Sequence, residues 1–343
     1  MFKNILVPLD GSANAEKIAG WSEGLARAFS ARLTLLMVVE PTKVIRSHAE
    51  HGRDRPERDA HPQDQAPGTD DASIGAMFDS GAFARRDSEP GESPSGYGTQ
   101  FIERAAQLSN EYLDDVANRL SSRGFEVRSM VTIGSPEDEI LRVVEEENID
   151  MITMATHRES TLARGILGSV TDRVIHTSSQ PIVAIRPESI TETEVMTPNT
   201  IVVPLDGSEI SESVVPMVSQ MAKELNAELV FTRATSLPVH SAMADSGIYY
   251  SSPISYYRAM DMAKEYLEPF VAKAKKAGLA ATMRAPSGSA ANCLISIAEE
   301  NDRTMIVMAT RGESGLKRFI VGSVTDKVIR GSGQPVLVVP PIT

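Results

Sequence analysis

The residues best suited to chemistry lie in one polar stretch, Met308 to Thr325, where Gly312, Gly322 and Ser323 sit among Arg311, Lys317 and Arg318. Glycines let a main chain approach an anion closely. A helix that begins near Gly322 would turn its unpaired amides toward a phosphate. Ser323 and Thr325 add hydroxyl donors at the same place. A second candidate is Asp206, at the head of an Asp-Gly-Ser turn. Each feature also has a plain structural reading: Asp206 as a turn and helix entry, Gly322-Ser323 as a helix cap, Met308 as core.

Nearly the same residues occur earlier. Val7-Pro8-Leu9-Asp10-Gly11-Ser12 returns letter for letter as Val203 to Ser208, an offset of 196, and Met154 to Ile175 matches Met308 to Ile329 at 15 of 22 positions, an offset of 154. The chain is therefore one unit written twice. The two offsets differ by 42 residues, and the first copy must hold that excess between its matched blocks. The earlier copy retains Asp10, Gly168, Ser169, Val170 and Thr171, but Arg158 stands where the later copy has Gly312. Two readings of Arg158 follow: its side chain blocks the approach of a phosphate, or its guanidinium binds one. Blocking is favoured, because a glycine position marks a close backbone approach that any β-carbon obstructs. The neighbouring His157 reads as a solvated loop residue.

Each copy needs strands and helices to place these residues. Ile5 to Leu9 and Ile201 to Leu205 are short apolar runs closed by a turn signal, as buried strands are. Helical periodicity follows at Ile18, Trp21, Leu25 and Phe29, and at Val214, Val218, Met221 and Leu225, with Ser12 and Ser208 as N-caps. Further strands are expected at Leu33 to Val39, Phe125 to Val131, Met151 to Ala155 and Ile182 to Ile185. Their counterparts are Leu229 to Ala234, Leu279 to Arg284, Met305 to Ala309 and Val336 to Val339. Helices near Phe101–Leu120, Pro136–Glu147, Tyr256–Ala277 and Ala290–Glu300 complete a βαβαβαβαβ pattern in each copy. Such alternation implies an α/β fold: two doubly wound, Rossmann-like domains, each a five-stranded parallel sheet with helices on both faces. In that fold ligands bind outside the carboxyl ends of strands, where strand order reverses, and both Asp206 and the loop from Ala309 to Ser323 fall at such ends.

With those residues in hand, the chain resembles the universal stress protein family. Its nucleotide-binding members show Gly, two residues, Gly, nine residues, then Gly followed by Ser or Thr. Gly312, nine residues, Gly322 and Ser323 fit that spacing, while Ala309, and Ala155 in the first copy, stand where the family has its first Gly. Val-Pro-Leu-Asp-Gly-Ser and Gln334 to Val339 look like the same family, and the likeness covers both copies outside the insertion. The resemblance implies a fold like that of the adenine nucleotide alpha hydrolases and ATP as ligand, with or without magnesium. By that likeness Asp206 lies by the nucleoside, with Met308 and Ala309 beside it. Arg311, Gly312, Gly322, Ser323, Val324 and Thr325 would surround the phosphates. The weaker first-copy set is Asp10, Met154, Ala155, His157, Arg158, Gly168, Ser169, Val170 and Thr171. Family members also pair along their last strand. Ile182–Ile185 and Val336–Val339 would be exposed apolar edges if each half stood alone, so an internal pseudo-dimer is expected. A further homodimer of whole chains stays open.

Composition narrows the function. The 343 residues suit two domains of roughly 150 residues each: residues 1–187, a linker at 188–199, and residues 200–343. A formal charge of −12 has the wrong sign for neutralising a phosphate backbone, so nucleic acid is not the expected partner. No apolar run approaches a membrane span, and the N-terminal apolar run is too short for a signal peptide core. With Cys293 alone, no internal disulfide or Cys-based zinc cluster forms, which fits the cytosol. Cys293 itself reads as packed, and the fifteen Met as core filler. There is no Gly-x-x-x-x-Gly-Lys-Ser/Thr loop, no His-x-Gly-His pair and no assembled catalytic group, so slow ATP hydrolysis is the most chemistry expected. Two function classes result: an ATP-binding stress-response or regulatory protein, and a nucleotide-free scaffold of the same fold.

The insertion, about residues 48–98, has few large apolar residues and is expected to be disordered, its His48, His51 and His61 solvated rather than metal-bound. Deletion of residues 55–95 should leave the melting temperature nearly unchanged. Thermal unfolding checks this, and a large loss would mean that the segment packs.

Overall fold

A computed structural model describes residues 1–44, 94–156, 167–187, 195–235, 253–310 and 321–341. The first half runs β1 (Asn4–Pro8), α1 (Ala13–Lys17), α2 (Ala19–Phe29), β2 (Arg32–Val39), α3 (Pro94–Ser122), β3 (Val127–Ile133), α4 (Pro136–Glu146), β4 (Met151–Ala155), α5 (Ser169–Thr177) and β5 (Ile182–Ile185). The second half repeats it as β6 (Thr200–Pro204), α6 (Glu209–Ser213), α7 (Val215–Leu225), β7 (Glu228–Thr232), α8 (Pro253–Lys276), β8 (Ala281–Arg284), α9 (Ala290–Ala298), β9 (Thr304–Ala309), α10 (Ser323–Gly331) and β10 (Val336–Val339).

All ten strands form one sheet, in the order β3-β2-β1-β4-β5-β10-β9-β6-β7-β8. Pairing is parallel within each half and antiparallel at the centre, where Ala184, Val183 and Ile182 face Val336, Leu337 and Val338. Alternate residues of each strand point to opposite faces. Ile5, Val7, Leu33, Leu35 and their second-half equivalents pack under α2, α3, α7 and α8, whereas Leu6, Leu36, Ile152 and Met154 pack under α4 and α5, with α9 and α10 opposite. Both cores cross the junction: Val183 and Leu337 lie in one, Ile182 and Val336 in the other. Near the seam an ion pair links the halves, Arg330 Nη2 to Asp172 Oδ1 at 3.1 Å, and Arg186 donates to the Arg330 carbonyl. No helix among the described residues is long and apolar enough to cross a membrane.

Two details depart from the sequence reading. The helix after each Asp-Gly-Ser turn is broken after its first turn, at Ile18 and at Val214. The second break has a visible cause, since Pro216 in the first turn of α7 has no amide to continue the preceding hydrogen-bond ladder. The insertion expected to be disordered through residue 98 is also too long by five residues, because α3 already begins at Pro94. A proline fits a first helical turn, where its missing amide would have had no partner. Residues 45–93, with the three histidines, lie outside the described residues.

Residues 195–199 dock on α2. The Met196 amide donates to the Gly20 carbonyl at 3.0 Å, and Arg303 holds Thr197 by its carbonyl and its hydroxyl, both at 2.9 Å. Gly24 permits that approach: a β-carbon there would lie 1.8 Å from the Met196 carbonyl oxygen. Beside it, Glu23 is 3% exposed; its Oε1 pairs with Arg123 at 2.9 Å while its Oε2 has no partner. Burial raises the Glu23 carboxyl above its usual range, and Arg123 opposes this only in part.

Two outcomes follow. Gly24→Ala should cost about 2 kcal/mol of unfolding free energy in a denaturant titration, since the backbone of residues 196–197 has to move. For Glu23, a raised pKa in the fold means that its protonated form is the favoured one, so its contribution is complete at low pH and declines as pH rises through the folded value. The stability of Glu23→Gln relative to the unmodified chain should therefore improve between pH 4 and pH 7. An opposite slope would show that the Arg123 pair outweighs burial.

Candidate functional site

Strand order reverses between β1 and β4 and again between β6 and β9, and the carboxyl ends there form the crevice in which open α/β sheets bind ligands. In the second half Asp206 follows β6. Its Oδ1 accepts from the Ser208 amide at 3.0 Å and the Ser208 hydroxyl at 2.6 Å, and Ser208 Oγ in turn caps α6 by accepting from the Ser211 amide at 3.1 Å. The first half repeats this with Asp10, Ser12 and Ala15 at 3.0, 2.6 and 3.1 Å. Gly11 and Gly207 take φ of 76° and 95°, the left-handed region a glycine enters freely, so the turn needs its glycine. The structural reading holds here: the aspartate builds its turn, and it stays exposed at the strand ends.

Across the crevice, α10 starts from Gly322 and α5 from Gly168, and among the described residues no side chain caps either start. The Gly322 amide donates to the Thr310 carbonyl at 2.6 Å, which brings the helix start back onto the end of β9. Ser323 and Val324 are exposed, as is Ser169, while Val170 is partly buried. The expectation for Thr325 needs correcting. Its hydroxyl donates to the Ala309 carbonyl at 3.1 Å, and Thr171 donates to Ala155 at 2.9 Å, so these hydroxyl protons are committed. Thr325 and Thr171, 3% and 2% exposed, bind the helix start to the strand end instead of offering a donor to a ligand. Met308 and Met154 are core side chains, leaving only their main chain near the crevice. Ala309 is buried too, and Ala155 half-buried. Arg311, Gly312, His157 and Arg158 lie outside the described residues. Among the described residues no group of three or more His, Cys, Asp or Glu could hold a metal ion.

Sequence reasoning missed a second layer behind the aspartates. Tyr266 donates to Glu212 at 2.6 Å, and the Arg233 guanidinium lies 4.2 Å over the Tyr266 ring. Phe270 and Phe231 continue the stack at 5.4 and 5.9 Å. Burial first, then the Glu212 carboxylate, pushes the Tyr266 hydroxyl up out of the ordinary range. In the first half Tyr112 sits beside Glu16, also pushed up mainly by burial, but its hydroxyl makes no well-formed hydrogen bond. Both pairs recur at the repeat offsets, and that signal could have found them. Arg233 does not recur, because Met37 takes its place.

The sequence profile of the universal stress protein family matches residues 1–186 and again 198–340. The chain belongs to the universal stress protein family. It is 31% identical over 145 residues to Universal stress protein YxiE of Bacillus subtilis, an alignment covering 41% of this chain and 98% of that one. It is 32% identical over 74 residues to Universal stress protein MJ0577 of Methanocaldococcus jannaschii, which covers 22% of this chain and 46% of that relative's length. Among solved structures, a universal stress protein from Archaeoglobus fulgidus DSM 4304 superposes with a TM-score of 0.61 at 18% identity, covering 98% of this chain and 96% of the other. That likeness extends the fold over both halves of this universal stress protein. Stability tests the correction at Thr325: Thr325→Val should cost about 1–2 kcal/mol by leaving the Ala309 carbonyl without its partner. A neutral result would free the hydroxyl for a ligand.

Proposed function

We propose that this chain is an adenine-nucleotide-binding stress-response protein of the cytosol, made of units at residues 1–187 and 200–343, which holds ATP mainly in its second half. The observation that carries the reading is the pairing, across the β6–β9 crevice, of the exposed Asp206 with the start of α10, which no side chain among the described residues caps. Unpaired amides and the helix dipole favour a phosphate there, and a carboxylate on the nucleoside side favours ribose or base donors. Gly322, Ser323 and Val324 contribute main-chain amides, and Arg311 and Gly312 belong to the same loop in sequence. The lone cysteine supports a reducing compartment. No catalytic residue is assigned, and magnesium enters only with the nucleotide. A nucleotide-free scaffold is the second reading, favoured by Ala155 and Ala309 at the positions where nucleotide-binding relatives carry glycine.

Calorimetry with ATP on three proteins separates these readings. The unmodified chain should bind about one ATP, because Gly312 admits a phosphate to the main chain where Arg158 obstructs it. Gly312→Arg should weaken binding by more than about tenfold, and Arg158→Gly should create or strengthen a second site. Two equal sites, or unchanged binding by Gly312→Arg, would remove the asymmetric reading. Loss of ATP from Arg158→Gly would make Arg158 a phosphate ligand. If the unmodified chain binds no ATP, the scaffold reading stands.

A further inference from the structure

Among the described residues the second-half crevice has a fixed cation, Arg233, where the first half has Met37. Arg233 is the residue just after β7, and the Leu205 amide donates to the Thr232 carbonyl at 2.9 Å, which sets Arg233 beside the Asp206 turn. Its guanidinium rests on Tyr266, and a β-carbon on Gly207 would lie 3.3 Å from its Nη2. The half-buried side chain is therefore held from two sides. Stacked guanidinium groups keep their in-plane donors free. Among the described residues, no carboxylate pairs with it. Two carboxylates around Tyr266 already accept hydrogen bonds, Glu212 from the Tyr266 hydroxyl and Asp206 Oδ1 from Ser208.

Along the carboxyl ends of three neighbouring strands the order is thus the α10 start beyond β9, then Asp206 after β6, then Arg233 after β7. Two strand spacings separate the ends of this row, about 10 Å. The Arg233 guanidinium lies over Gly207, one strand inward from its own backbone, so the two receptors stand closer together than the strand ends that carry them, as two phosphates on one ribose require. A helix start and a guanidinium are both phosphate receptors, and the guanidinium, always charged, can take a phosphate through two parallel hydrogen bonds.

We propose that Arg233 makes the second-half site selective for adenine nucleotides that carry a second phosphate on the ribose, in addition to the 5′-phosphate at the α10 start. This rests on the reading of the crevice as a nucleotide site. The first half, with Met37 buried at the equivalent position, has no such selectivity.

The test compares AMP with adenosine 2′,5′-bisphosphate and adenosine 3′,5′-bisphosphate by calorimetry on the full chain, with inorganic phosphate as a fourth probe. One of the two bisphosphates should bind about tenfold more tightly than AMP, the scale of one added charge-assisted hydrogen bond. Arg233→Met, which installs the residue the first half already tolerates, should erase that advantage and leave AMP affinity and melting temperature nearly unchanged. Arg233→Lys should keep part of it. Equal binding of AMP and both bisphosphates, or an advantage that survives Arg233→Met, overturns the proposal and leaves the nucleotide site standing. Phosphate binding that depends on Arg233 without any bisphosphate advantage would make this a separate anion site and also overturn it. If no nucleotide binds at all, both readings fall together.

Discussion

The architecture depends on three facing residue pairs. Ala184, Val183 and Ile182 against Val336, Leu337 and Val338 join two open parallel sheets into one of ten strands. Strands of this apolar character are stable only when both their edges and their faces are covered. The junction covers both at once: backbone groups pair along the edge, and cores above and below the sheet become continuous across it. Polar contacts such as Asp172 with Arg330 add position on top of that burial.

The antiparallel sense of this junction fixes where the sites lie. Within a half every strand runs the same way, so all carboxyl ends emerge on one side. Reversing direction at β5 and β10 sends the carboxyl ends of the two halves to opposite edges of the sheet. The two crevices therefore face away from each other and cannot share a ligand. They are linked instead through α5 and α10, whose starts face their own crevices and which meet near the seam, where Arg330 in the last turn of α10 pairs with Asp172 in the first turn of α5.

Much of this was legible in the chain, and for physical reasons. Buried parallel strands are runs of apolar residues, and the repeat lets each run be read twice, so strand identity and the Asp-Gly-Ser caps at Ser12 and Ser208 came through. Boundaries were less legible. The N-terminal extension of α3 to Pro94 begins in a Gly- and Ser-rich stretch whose composition reads as loop, and the break at Ile18 leaves no mark beyond the general pattern. At the site, residue type did not reveal which donors were already engaged. Thr325 and Thr171 looked like ligand contacts until their hydroxyls were found on strand carbonyls. Arg233 was invisible for the opposite reason: it lies outside the repeated motifs, and its place beside Gly207 depends on strand pairing.

The docking of residues 195–199 on α2, made possible by Gly24, gives the chain a property that two separate subunits would lack. Tethered halves meet at a local concentration set by the connection, so dilution does not part them. A symmetric dimer of one gene product must also carry every substitution twice, in both sites. Here the copies can change independently, and Arg233 opposite Met37, or Gly312 opposite Arg158, records that freedom: a substitution in one crevice leaves the residues of the other as they were.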